Sequence, residues 1–495
     1  LQADSRPNIL FCISDDQSYA HTGANGDPVV QTPAFDRIAR EGIRFSNAYC
    51  DAPTCGPSRS AILTGQHIWR LEEAGNIHST LPAKFHTYTE LLKKDGYFVG
   101  YTGKGWGPGS LKAGGRTENP AGKNYDIHKY SKGALKNTPK PRGMSPKPYS
   151  HNFEGFLKTR SQSEHKSAPF CFWLGTSEPH RGYVKGSGIE SGKDPAKVIV
   201  PAIFPDNDIV RSDILDYYVE IEHYDLQIAR AIAALERAGE LDNTIIVATS
   251  DHGMPFPRAK ASLYDMGSKV PLAIRWPKGI AKSGRDFNGF VNLSDLAPTF
   301  LEAAGLKAPA MMSAKSLQPV FQNDSSVERP AAYIAMERHD GCRAGGKGYP
   351  TRAIRTADYL YIHNFEAERW PSGSPNAADC ARAIPYGEID TSPTKDYMMN
   401  HRDDSEVEQL AELSFGKRPT DELYKIASDP YQMTNLAASP EFEHIKAELK
   451  RQLFDKLEQS SDPRIVGGPI LWDYYPYYGK RKNKDWSVAM PPSKE

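Results

Sequence analysis

The chain has 495 residues, of which 39% are apolar and 25% charged, a balance that excludes a disordered chain and fits a soluble globular protein. Lys plus Arg and Asp plus Glu number 61 each, so the formal net charge is zero, which argues against a general nucleic-acid binder. No apolar run is long enough to cross a membrane. At roughly 100–200 residues per domain the length predicts two to four domains and a large core. With 40 Gly and 38 Pro, long loops are expected.

The first residue is Leu1 rather than Met, which reads as a removed export signal or a trimmed start. The first strand is expected at Asn8–Ser14. Further apolar runs at Phe170–Gly175, Thr244–Ser250 and Leu272–Trp276 read as buried parallel strands. Helices fall between them. Thr32 and Pro33 open one that Gly42 closes, and Thr87 with Glu90 has capping-box spacing ahead of a helix ended by Gly96. A long amphipathic helix runs from Asp213 to about Gly239. Alternating strand and helix predicts an α/β domain with a mainly parallel sheet over 1–350. Residues 101–170 carry 13 Lys and Arg against 4 Asp and Glu and show no period. They read as a long loop whose positive rim would attract an anionic polymer. After about residue 350, Thr351–Arg355 and Tyr359–His363 predict antiparallel strands and Glu441–Gln459 a terminal helix. A smaller α+β domain is expected over 351–495.

Six cysteines are too few for a disulfide scaffold. Cys12 and Cys171 sit in apolar runs as buried thiols, and Cys342 and Cys380 are candidates for a bridge. Asp15 and Asp16 follow the first strand, where open α/β sheets gather ligands. Asp251 and His252 follow another strand. Four such residues on one edge predict a metal site, with oxygen ligands favouring Ca²⁺ or Mg²⁺ and His252 leaving zinc or manganese open. Cys55 begins the run Cys55-Gly56-Pro57-Ser58-Arg59-Ser60-Ala61-Ile62-Leu63-Thr64-Gly65. Pro57 suits a helix start and Gly65 a helix end, so Cys55 is expected at a helix N-terminus, where amides favour an anion and lower a thiol's pKa. Arg59 lies one turn on, on the same face.

That run resembles the signature of the formylglycine-dependent (type I) sulfatases at every fixed position. The resemblance implies an alkaline-phosphatase-like α/β fold with a smaller C-terminal domain carrying an antiparallel sheet. It implies that a maturation enzyme oxidises Cys55 to formylglycine, whose hydrate attacks the sulfur of a sulfated carbohydrate. It also implies Asp15, Asp16, Asp251 and His252 as Ca²⁺ ligands and Lys104 and Lys260 as sulfate-gripping residues. In the family, the histidine at the position of His180 faces the leaving group. Pro179-His180-Arg181, Asp251-His252-Gly253-Met254-Pro255-Phe256-Pro257 and Ile362-His363-Asn364 resemble the heparan N-sulfatase type. The family usually has a histidine two residues after the lysine, where this chain has Trp106. His252 or a water is the expected replacement in proton transfer. Arg181, His339, Asp340 and Arg343 are expected to meet substrate, and Trp106, Tyr183 and Trp370 to stack on sugar rings. An exported location, periplasmic, secreted or lysosome-like, follows from this substrate class. The alternatives are a phosphatase or phosphonate monoester hydrolase of the same superfamily, or a non-catalytic glycan-binding protein.

Overall fold

The structure, a computed structural model, describes residues 6–324 and 326–491, so Leu1 lies outside it. Its strands are β1 (Asn8–Ser14), β2 (Ile43–Tyr49), β3 (Phe98–Gly103), β4 (Lys123–Asn124), β5 (Phe170–Gly175), β6 (Thr244–Ser250), β7 (Leu272–Arg275), β8 (Arg285–Asn292), β9 (Ala331–Met336), β10 (Thr351–Thr356), β11 (Tyr359–Asn364) and β12 (Asp421–Lys425). The first eight form one sheet in the order β4-β3-β5-β1-β6-β7-β2-β8, and the last four form a second in the order β12-β11-β10-β9. β3, β5, β1 and β6 run parallel to one another. Every residue of β1, β5 and β6 is buried, which explains their unbroken apolar runs. Successive β1 side chains enter opposite layers. Ile9, Phe11 and Ile13 pack with Leu296 and Phe300, while Leu10 and Cys12 pack with Ile228 and Leu235.

Leu272–Trp276 corrects one expectation. β7 is antiparallel to both β6 and β2. A run buried on both faces is apolar whichever way the strand points, so its composition carries no direction. The large sheet is therefore mixed and mostly parallel. A second correction falls in 101–170. Besides β4 this stretch contains a helix, Tyr149–Ser161, whose Tyr149, Phe153 and Phe156 join the core. Three aromatics at helical spacing were masked by the basic and small residues between them.

The helix starts follow local chemistry. Thr87 and Glu90 complete a reciprocal capping box on Tyr88–Lys94. The long helix spans Asp208–Ala238, starting ahead of Asp213 because the Asn207 side chain accepts from the Ile209 and Val210 amides at 3.0 Å. In the smaller sheet all pairings are antiparallel, and its first strand, β9, precedes residue 351. Helix Glu443–Gln459 lays Leu449, Leu453 and Leu457 on the face formed by Ile354, Tyr361 and Leu423. The opposite face, with Ile334, Leu360 and Ile362, packs on Tyr49, Tyr264 and Phe290 of the larger unit. The Cys342 and Cys380 sulfurs lie 3.5 Å apart in hydrogen-bond contact, with both thiols buried and unbridged.

Candidate active site

Strand register gathers the site. Ser14 pairs with Ser250, Ile13 with Gly175, and Gly103 with Gly175, so four parallel strands end nearly level. The residues that follow leave at one edge: Asp15 and Asp16, Lys104, Glu178 to Arg181, and Asp251 with His252. This is the carboxyl edge of the sheet, where such folds bind ligands.

The helix Cys55–Thr64 aims its first turn at that edge. Thr54 is extended before it, Gly65 ends it at φ 63°, and all ten helical residues are buried. Pro57 stands third in the helix rather than first. The Cys55 thiol reaches Asp15 Oδ1 at 3.4 Å and His252 Nε2 at 3.3 Å. Burial, reinforced by Asp15, pushes this thiol well above its usual range. The lowering expected from a helix start is thus overturned, because desolvation outweighs the amides.

Asp15, Asp16, Cys55 and His252 each bring a ligand atom into a group whose members all lie within 4.8 Å of one another. The donor chemistry tests the fit of a cation. His252 Nδ1 is 3.1 Å from the Gly253 carbonyl, which only accepts, so Nδ1 carries the hydrogen. Burial lowers the His252 pKa and keeps the ring neutral. Its Nε2 lone pair then faces Asp16 Oδ1 at 3.0 Å, and that oxygen is buried with no hydrogen-bond partner. Two lone pairs at this distance repel unless a cation lies between them, so the residues fit a metal. Asp251 stands beside the group, with Oδ1 3.8 Å from His252 Nε2 and accepting from the Asp16 and His252 amides. Although burial opposes it, Arg59 and Lys104 hold the Asp251 carboxyl well below its usual range.

Two lysines bracket the group. Lys104 Nζ pairs with Asp15 and Lys260 Nζ with Asp16. Despite burial, Asp15 raises the Lys104 pKa, and Asp16 and Asp390 raise that of Lys260, so both stay charged. His180 Nδ1 is 2.7 Å from the Arg181 carbonyl, which leaves Nε2 facing the site. Arg59 lies one turn into the helix after Cys55. It is 0% exposed, donating from Nε to Asp251 at 2.9 Å and from Nη1 to the carbonyls of Lys104 at 2.7 Å and Gly105 at 3.1 Å. Its Nη2, buried with no hydrogen-bond partner, lies 3.6 Å from Asp15 Oδ1, so Arg59 braces the frame and also turns a free donor toward the site.

A cavity of about 450 Å³ opens here, lined by Lys104, Ser145, Glu178, His180, Arg181 and Glu220 among others. The expected substrate contacts divide. Arg181 lines the cavity, but its guanidinium is locked to Asp213 at 2.6 and 2.8 Å between the rings of Tyr183 and Phe256. His339 and Arg343 both grip Glu388, at 2.8 and 2.6 Å, and Arg343 also donates to the Trp370 carbonyl. Trp106 packs in the core, 7% exposed, with Nε1 donating to Ser60 at 2.8 Å, so it has no free face for a sugar. Sequence reasoning missed Arg382, Glu388 and Asp390, which the fold brings to the rim beside Asp340 and Lys260. No spacing in the sequence marks them.

Fold and site together define a class, an α/β enzyme whose buried acidic cluster fits a cation and whose two flanking lysines suit an anionic group. The chain belongs to the sulfatase family: the profile described as Sulfatase matches residues 7–306. A second profile, described as N-sulphoglucosamine sulphohydrolase, C-terminal, matches 255–371. A Formosa agariphila protein named ulvan-active sulfatase is 27% identical, over 94% of this chain and 83% of its own length. Human N-sulphoglucosamine sulphohydrolase is 25% identical, over 93% of this chain and 92% of its own length. A structure solved with D-glucosamine-2-N,6-O-disulfate aligns with a TM-score of 0.66 at 22% identity, over 94% of this chain and 100% of that one. The chain is a sulfuric ester hydrolase.

Proposed function

We propose that this enzyme removes sulfate from a sulfated carbohydrate, using a formylglycine made from Cys55 and a Ca²⁺ ion held by Asp15, Asp16, Asp251 and His252. The position of Cys55 carries the reading. Its sulfur touches both Asp15 and His252 while Lys104 and Lys260 cap the two acids. A formylglycine there would supply a geminal diol as the nucleophile, and a cation held by these residues would supply Lewis acidity toward the sulfate oxygens. The remaining work falls to the chain's own side chains. Lys104 and Lys260 offset charge on the non-bridging oxygens. His180, with Nδ1 committed to the Arg181 carbonyl, holds its transferable proton at Nε2 for the departing sugar oxygen or nitrogen. Arg59 keeps Asp251 and the Lys104 loop in place.

With Nδ1 committed to the Gly253 carbonyl and Nε2 given to the cation, His252 does not substitute for the histidine replaced by Trp106, and a water takes that proton. The partners are the sulfated saccharide and a maturation enzyme. Among the described residues no helix is long and apolar enough to cross a membrane. An exported location suits a polysaccharide substrate. Mass spectrometry of the Cys55 peptide, paired with sulfate release from sulfated sugars and from aryl phosphate as a control, tests the reading. An unmodified thiol in active enzyme, or phosphate released faster than sulfate, sinks it.

A further inference from the structure

Two glutamates line the cavity of about 450 Å³ beside Lys104 and His180, and the fold uses only one of them. Glu178 accepts from the Ser145 amide at 2.7 Å, the Tyr149 hydroxyl at 2.9 Å and the Ser177 amide at 3.1 Å. Glu220 comes from the long helix Asp208–Ala238 and is 4% exposed. Among the described residues its carboxyl has no hydrogen bond and no cation. The cations of the cavity are engaged elsewhere, Lys104 by Asp15 and Arg181 by Asp213. Asp216, one turn back on the same helix, accepts from the Gly186 and Gly188 amides at 2.9 and 2.8 Å. Gly143, at φ 85°, brings the neighbouring wall close, since a Cβ there would lie 2.8 Å from Val184 Cγ2 and 3.7 Å from Glu220 Oε1. Buried carboxyls that serve only the fold are hydrogen-bonded, as Glu178 is. An unpaired one in the wall of this cavity keeps its oxygens for a ligand.

Burial, with Glu178 and Asp216 nearby, pushes the Glu220 carboxyl up from 4.5 to about 8. A carboxyl that keeps its proton donates from one oxygen and accepts at the other, and a sugar hydroxyl likewise does both. A sulfate or uronate carboxylate offers only acceptors and brings a negative charge toward Glu178, so it suits this wall less well. The cavity is of the size that holds small ligands, about 300–1,000 Å³. His180 lines it too, so a sugar whose departing atom meets His180 Nε2 extends along the wall that carries Glu220. We propose that Glu220 is a specificity-determining residue that hydrogen-bonds an uncharged hydroxyl of the sugar released from sulfate. This rests on the sulfatase reading and adds which group of the sugar is recognised. Lys104 and Lys260 hold the sulfate, and Glu220 selects the sugar behind it.

The test sets wild type, Glu220→Gln and Glu220→Met against 4-nitrophenyl sulfate, a panel of hexose and hexosamine monosulfates, and monodeoxy analogues of the best of these sugars. Gln keeps a donor and an acceptor without a charge, whereas Met keeps the length and removes both. Leaving a hydroxyl unpaired in a buried site supports a loss of about 5- to 100-fold. Glu220→Met should lose that much kcat/KM on the sugar, chiefly through KM, and several-fold less on nitrophenyl sulfate, which has no hydroxyl. Glu220→Gln should stay within about threefold of wild type on both. One deoxy analogue should cost wild type as much as Glu220→Met costs on the parent sugar, and cost Glu220→Met nothing further. Melting curves establish that both variants fold, and the deoxy analogues probe the wild type without any substitution. Equal losses on sugar and nitrophenyl sulfate in Glu220→Met would overturn the proposal. So would a Glu220→Gln as damaged as Glu220→Met, which would show that the sugar meets a charge. Wild-type indifference to every deoxy analogue, or turnover of aryl sulfate with none of the sugars, would overturn it as well. An enzyme inert toward aryl sulfate and every sugar overturns the sulfatase reading, and this one with it.

Discussion

The strand-end cluster and the C-terminal rim meet at Lys260 but are built in different ways. The cluster draws Asp15, Asp16, Asp251 and His252 from the first residues after two neighbouring parallel strands, and their level register does the positioning. Its negative charges are balanced by Lys104, Lys260 and Arg59. The rim draws Asp340, Arg382, Glu388, Asp390 and Tyr477 from loops, and they hold one another by side-chain contacts. Sheet register leaves the first arrangement little freedom to vary. Loop packing can exchange one side chain for another without disturbing the sheet.

The largest effects should come from the cluster. Asp251→Ala removes the carboxylate that Arg59 and the Asp16 and His252 amides depend on. Breaking a buried pair by deleting one partner costs about 3–5 kcal/mol. Activity should fall below detection, and the melting temperature and the stabilisation by added calcium should both drop. Retained calcium stabilisation in Asp251→Ala would remove Asp251 from the cation site. Cys55→Ser, made in a host whose maturation enzyme accepts only cysteine, should lose activity as completely while melting close to wild type, because the change is small and buried. Normal turnover by that protein would show that Cys55 is not the precursor of the nucleophile.

The same contrast explains what could be read in advance. Asp15 and Asp251 were legible because an acid after a buried strand has few other places to point. The helix start at Cys55 was legible from the Pro57 and Gly65 that punctuate it, but its chemistry only from the run's resemblance to the sulfatase signature. Asp390 was not, since nothing near Glu388-Ile389-Asp390 signals that Lys260 is its neighbour. Arg343, read as a substrate contact, turned out to brace Glu388, because a loop arginine looks the same from sequence whether it meets a ligand or a buried acid. Fold class was legible from the alternation of strands and helices. The direction of β7 was not, because a four-residue strand buried on both faces reads alike in either sense.

His180 stands between the two regions, and its substitution separates them. General acid catalysis typically contributes about 10²- to 10⁴-fold. Nitrophenolate departs without a proton, whereas a sugar alkoxide or amine needs one. His180→Ala should therefore lose about that much on a sulfated sugar and far less on 4-nitrophenyl sulfate. Equal losses would move His180 to the cluster's side as a sulfate binder, with a bound water as the next candidate for the acid.

The smallest effect is a test of the charge balance itself. Glu220 lines the same cavity as Lys104, but none of its described contacts is with a cation. Burial, with Glu178 and Asp216 nearby, pushes its carboxyl up from 4.5 to about 8, whereas Asp16, equally buried but facing Lys260, is lowered. A carboxyl raised on folding binds more protons in the native than in the unfolded state between those two values. Its contribution is then neutral below about pH 4.5 and grows unfavourable as pH rises toward 8. Glu220→Gln keeps the shape and removes the titration. It should match wild-type stability near pH 5 and exceed it by on the order of 2 kcal/mol near pH 8. Denaturant unfolding at the two pH values measures the difference. An unchanging difference between them would mean that Glu220 is already ionised in the fold, and that the cavity's cations reach further than Asp15 and Asp16.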